Sequence, residues 1–182
     1  MRVSVLSRLA LVLAFVLPLA AAPAIAADEG PDRDEALMED AKIREFASFF
    51  PTEPGGWVRD LEPDVFLSDT ASTISFTYLS LTQGGVGFTI TLTFSNDVSS
   101  QYKKMMRSEE ERATWGFDRG KIGDWRALTA IDRGVNKADY VVILSNSRVI
   151  AVAPASNVPL PSLDEITRIF GGLDFAAIAA KD

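Results

Sequence analysis

Residues 86–97 read VGFTITLTFSND. From Phe88 to Phe94 apolar and polar residues alternate without a break, and every polar position is threonine. A period of two is the mark of a strand with one dry face. Phe88, Ile90, Leu92 and Phe94 are therefore expected in the core, with Thr89, Thr91 and Thr93 opposite. Residues 72–82, STISFTYLSLT, alternate in the same way, setting Ile74, Phe76 and Tyr78 against Ser75, Thr77 and Leu79. The glycine-rich QGGVG between the two runs completes a β-hairpin. Threonine favours extended backbone and tolerates water, so the threonine row reads first as the wet flank of a stable strand. The alternatives are a flat polar array that recognises a repetitive surface, and a face partly covered by a helix.

Working outward, residues 40–50 place Ile43, Phe46, Ala47 and Phe50 on one helical face. The acids at Asp32 and Asp34 suit the start of that helix, and Pro51 stops it. Trp57 and Val58, and Leu61 with them, fit a short strand ended by Pro63. After the hairpin, SND caps a second helix over residues 98–115, with Val98, Tyr102, Met105 and Met106 in one stripe and Gly116 at its end. KIGDWRALTAI supplies one or two strands, DRGVNKAD a turn region, and YVVIL with VIAVAPA a second hairpin around SNSR. Ser162 and Glu165 form a capping box for a third helix, which Gly171 and Gly172 terminate. The apolar LDFAAIAA tail is expected to dock on the sheet. Tight turns between successive strands predict an α+β domain: a single, mainly antiparallel, twisted sheet of about six strands with helices packed against it.

The N-terminus predicts a destination. Arg2 and Arg8 precede an apolar run over residues 9–22, and Ala24-Ile25-Ala26 offers small residues for cleavage. This is the layout of a signal peptide over residues 1–26, cleaved after Ala26, in an exported chain that is periplasmic or secreted. The run is short for a membrane span, and no second long apolar run follows. Residues 27–35 are acidic and poor in apolar side chains, which predicts a disordered leader before a single domain over 36–182. A domain of that size can bury about two-thirds of its extended surface.

The chain contains 18 Lys and Arg, 25 Asp and Glu, and neither cysteine nor histidine. An acidic protein is a poor partner for nucleic acid. Without cysteine there are no disulfides, thiolate chemistry or zinc–sulfur sites. Without histidine, the commonest general base and an ordinary serine triad are gone. Carboxylates alone suit zinc and copper poorly, and the consecutive Glu109, Glu110 and Glu111 fan out around a helix rather than converge on calcium. No metal and no cofactor is expected. The adjacent Met105 and Met106 point about 100° apart and read as core filling rather than a copper site. QGGVG lacks the lysine and strand–loop–helix setting of a phosphate loop.

Layout adds one resemblance. The GGW entry at Gly55, Gly56 and Trp57, the central hairpin, the helix after it, the second strand set and the closing helix resemble the PsbP/Mog1-like small α+β proteins. That resemblance implies an accessory or assembly role and assigns no functional residue.

The expected function is a non-catalytic exported module that binds a partner protein or small ligand in the cell envelope. Its candidate contacts are Trp57, Trp115, Trp125 and Arg126, large aromatics at element ends with one neighbouring cation. Each tryptophan has an ordinary alternative as a lid on the core. The alternative function is a carboxylate-dependent hydrolase or isomerase, for which Asp124, Asp132 and Asp139 are candidates if two acids lie about 5–10 Å apart in a pocket.

Overall fold

The computed structural model describes residues 39–82, 86–130, 140–155 and 168–181. The expected signal peptide and leader, the expected start of the first helix, the expected turns at Gln83, Gly84 and Gly85 and around Asp132 and Asp139, and the expected capping box of Ser162 and Glu165 lie outside them.

The strands are β1 (Trp57–Arg59), β2 (Asp64–Leu67), β3 (Ser72–Ser80), β4 (Gly87–Phe94), β5 (Phe117–Ile122), β6 (Trp125–Ala130), β7 (Tyr140–Ile143) and β8 (Arg148–Pro154). The helices are α1 (Asp40–Arg44), α2 (Asn96–Arg107), α3 (Glu109–Trp115) and α4 (Phe175–Ala180), with a 3-10 segment at Glu45–Phe49. The strand order is β1-β3-β4-β8-β7-β6-β5, and β2 also pairs with β3. Every pairing among the described residues is antiparallel. The fold is α+β.

Among the described residues the sheet has eight strands rather than about six. The first extra strand comes from residues 57–67, expected to yield one. β3 is nine residues long, enough to seat two short neighbours on one edge. β1 pairs with Tyr78, Leu79 and Ser80, and β2 with residues 72–75. Between them Pro63 cannot donate to the ladder, and Leu61 lies in the connection, 96% exposed. The second extra strand is β5, which begins immediately after Gly116 and turns into β6 through Gly123 at φ 58°.

The alternating runs orient as the pattern dictates. Ile74, Phe76 and Tyr78 of β3 and Phe88, Ile90, Leu92 and Phe94 of β4 are buried on one face. Ile43, Phe46, Phe50, Ile169, Phe170, Leu173, Phe175 and Ile178 pack onto that face in the same cluster. Each such side chain contributes on the order of 1.5–3 kcal/mol by leaving water. The expected α1 helix tightens into the 3-10 segment, where residues three apart eclipse; the Phe46 and Phe49 rings stand 5.9 Å apart. The apolar tail docks as α4, capped by Asp174, whose carboxylate accepts from the Ala177 N–H at 2.9 Å.

The helix expected over 98–115 breaks at Ser108, whose backbone is extended (φ −103°, ψ 124°). Its hydroxyl accepts from the Glu111 N–H at 3.2 Å, so one residue both ends α2 and caps α3. Gly116, in the left-handed region at φ 62°, ends α3. α2 seats Met105, with Tyr102 and Met106, on Phe117, Leu128, Val141 and Val149. These residues line the second face of the sheet over its β5–β8 half.

Candidate functional site

The second face has another half, built by β3 and β4. Thr73 lies opposite Thr93, Ser75 opposite Thr91, and Thr77 opposite Thr89. β8 extends these rows with Val149, Ala151 and Ala153. On the other side β2 adds Phe66 beside Thr73 and Asp64 beside Ser75, and β1 sets Val58 beside Leu79.

Three of these six hydroxyls are tied down laterally. Those of Thr77 and Thr89 share a hydrogen bond of 3.2 Å. The Ser75 hydroxyl donates to the Asp64 carbonyl at 3.4 Å. Ser75 and Thr89 are buried, while Thr73, Thr77, Thr91 and Thr93 are half-buried. Helix α2 packs against β8 and β7, one and two strands beyond β4. The threonine rows are thus flanked by the helix on one side and open toward the β1–β2 edge on the other.

That edge carries apolar side chains in water. Leu79 is 44% and Leu81 63% exposed. Gly87 makes the Leu79 position possible. A Cβ built at Gly87 would lie 2.9 Å from Leu79 Cδ2 and 2.8 Å from the Tyr78 carbonyl oxygen. The missing side chain lets Leu79 lie across the neighbouring strand, and Leu81 is fixed by its N–H to the Gly56 carbonyl at 3.1 Å.

The four residues singled out in the sequence are not brought together. Trp57 is 6% exposed and packs edge-on against Phe88 at 4.9 Å, closing the core. Trp125 is half-buried against Phe175 at 5.9 Å, on the same face of the sheet. Five strand steps separate β1 from β6, about 24 Å at the usual spacing, so these two tryptophans share no cleft. Arg126 follows Trp125 along β6 and so projects from the opposite face, beside Lys121 of β5. Trp115 stands apart at the end of α3, 38% exposed. The apolar rim at Leu79 and Leu81 was missed, although the unusual pairing of leucine with threonine and serine in one alternating run was its signal.

On the first face, the half-buried Arg59 and the buried Tyr78 place polar groups against the core. The Arg59 guanidinium donates from Nη1 to the carbonyls of Ala47 (3.0 Å) and Phe50 (2.7 Å) and lies over the Phe76 ring at 4.1 Å. It satisfies carbonyls at the end of the 3-10 segment. The Tyr78 hydroxyl donates to the Pro51 carbonyl at 3.1 Å. Burial pushes the Tyr78 phenol well above its ordinary range, with the Arg59 charge pulling weakly the other way. Asp124 is exposed in the β5–β6 turn. Among the described residues no group of three carboxylates is placed to hold a metal ion.

Comparison of the chain with protein-family models, with curated proteins and with solved structures gave no match.

Proposed function

We propose that the chain is an exported, non-catalytic binding module that docks a partner protein on the open half of its second sheet face. The observation that carries this reading is the joining of the threonine rows to the exposed Leu79 and Leu81. The Thr77 and Thr89 hydroxyls, already bonded to each other, can be covered at little cost in lost hydration, the Thr73, Thr91 and Thr93 hydroxyls are left for a partner's polar groups, and the leucines supply apolar area that water releases on contact. A polar field with an apolar anchor is how interfaces of moderate size are built. The sequence of residues 1–26 supports export, and the layout shared with PsbP/Mog1-like proteins supports an accessory role.

The test is affinity capture from cell-envelope extract with the chain beginning at Ala27. The wild-type chain recovers a partner reproducibly. Leu79→Asp/Leu81→Asp keeps the far-UV spectrum and melting behaviour of a folded protein and loses that partner. Equal recovery by both proteins would reject docking at this face.

A further inference from the structure

The same sheet face carries a second feature beyond the helix that bounds the open half. Arg119 and Lys121 lie two residues apart on β5, and Lys121 stands opposite Arg126 of β6. Alternate residues of a strand share a face, so the three side chains lie together on the side covered by α2. Arg119 reaches that helix: its Nη2 donates to the Arg107 carbonyl at 3.2 Å. Arg107 in turn lies one helical turn from Lys103. These five cations form one continuous strip from the middle of α2 to the β5–β6 edge.

None of the five has a carboxylate partner within ion-pair distance among the described residues. Lys103 donates to the Asn146 side chain, and Lys104 beside it is the one paired with Glu111. The nearest acids along the chain are Asp118, whose Oδ1 accepts from the Arg119 N–H at 2.7 Å, and Asp124 in the turn. Uncompensated clustering is costly in itself: desolvation and the nearby Arg107 both pull the Lys103 ammonium below its ordinary range. At the α2 end of the strip a shallow depression of about 330 Å³ is lined by Ser100, Lys103, Lys104, Arg107 and Ser108.

We propose that Lys103, Arg107, Arg119, Lys121 and Arg126 bind an acidic polypeptide segment, with one of its carboxylates seated in the depression. Charge complementarity selects an anionic partner. Its size follows from the charge of the whole molecule, formally −7 even with these five cations included. An anionic bilayer or a long nucleic acid meets that whole charge and is repelled by it, whereas a short segment meets the strip alone. A concave site rimmed by two lysines and an arginine also fits single carboxylates better than a plane of headgroups. The site goes beyond the open face and stands or falls separately from it, because α2 lies between the two.

The probe is a fluorescein-labelled octaglutamate peptide, titrated with the chain beginning at Ala27. The peptide binds at about 20 mM salt and weakens at least about tenfold at 300 mM, as screening demands. Arg107→Gln and the double variant Lys121→Gln/Arg126→Gln each weaken it several-fold. Lys42→Gln, which removes the same single charge on α1, leaves binding unchanged. No binding by the wild-type chain at low salt would overturn the proposal. So would equal weakening by Lys42→Gln and Arg107→Gln, or tighter binding to vesicles containing anionic phospholipid than to the peptide.

Discussion

Gly87 shows how much one missing side chain can hold. Its neighbours stand at distances that no Cβ tolerates, and one of them is a backbone oxygen that cannot swing away. Gly87→Ala is expected to destabilise the fold by about 1–3 kcal/mol, read as a lower urea midpoint with an unchanged m-value. Tyr78 makes a prediction in pH. Its phenol is held neutral by burial, so its folded pKa lies above the unfolded value of 10.0. Above that pH the unfolded chain binds fewer protons than the folded one, and stability falls as pH rises. Tyr102, likewise raised by burial, adds to the same loss. Urea midpoints measured from pH 8 to 11 should decline above about pH 10, and Tyr78→Phe/Tyr102→Phe should flatten the decline. Both residues were legible as inward-facing from period alone. The near contact across Gly87 was not, because it depends on which residue of β4 meets Leu79, and register is invisible in either strand taken singly.

Among the elements, the central hairpin and the stripe on α2 follow directly from periodicity, and the docking of α4 follows from its apolar composition. The strand count did not follow. Two three- to four-residue strands on one edge of β3 are too short to show alternation, and their existence depends on the length of the partner they share. The break between α2 and α3 has a similar origin. The run of residues 98–115 is helical throughout by propensity, and Ser108 divides it by offering its hydroxyl to the next turn. Ser95 at the other end of α2 is more heavily used. It is buried, accepts from the Val98 N–H at 3.3 Å and donates to the Thr70 carbonyl at 2.8 Å. Ser95→Ala removes a cap and takes from the Thr70 carbonyl its donor. The expected cost is about 1–3 kcal/mol, seen as a lower melting temperature with the helical far-UV signal retained until the transition.

For the molecule as a whole, the proposed function turns on the second sheet face. Its α2 half is closed by Met105 and its neighbours. Its β3–β4 half presents rows of threonine, with Thr77 and Thr89 bonded sideways to each other and leucines at the rim. Composition motivates the first step of the proposal: a chain without histidine or cysteine has few groups for chemistry and more scope for surface recognition. The location of that surface was not legible, since the tryptophans that drew attention turn out to fill the core or to stand apart, and the leucine rim exists only once the strands are paired. The central claim is that the half-buried members of the threonine rows, Thr73, Thr77, Thr91 and Thr93, face solvent. The absence of cysteine allows a direct measurement, the rate of maleimide labelling of single-cysteine variants under native conditions. Thr91→Cys should label on the order of a hundredfold faster than Leu92→Cys, whose neighbour-facing position opens only through unfolding. Equal, slow labelling of the two would show the face to be covered and would contradict the account.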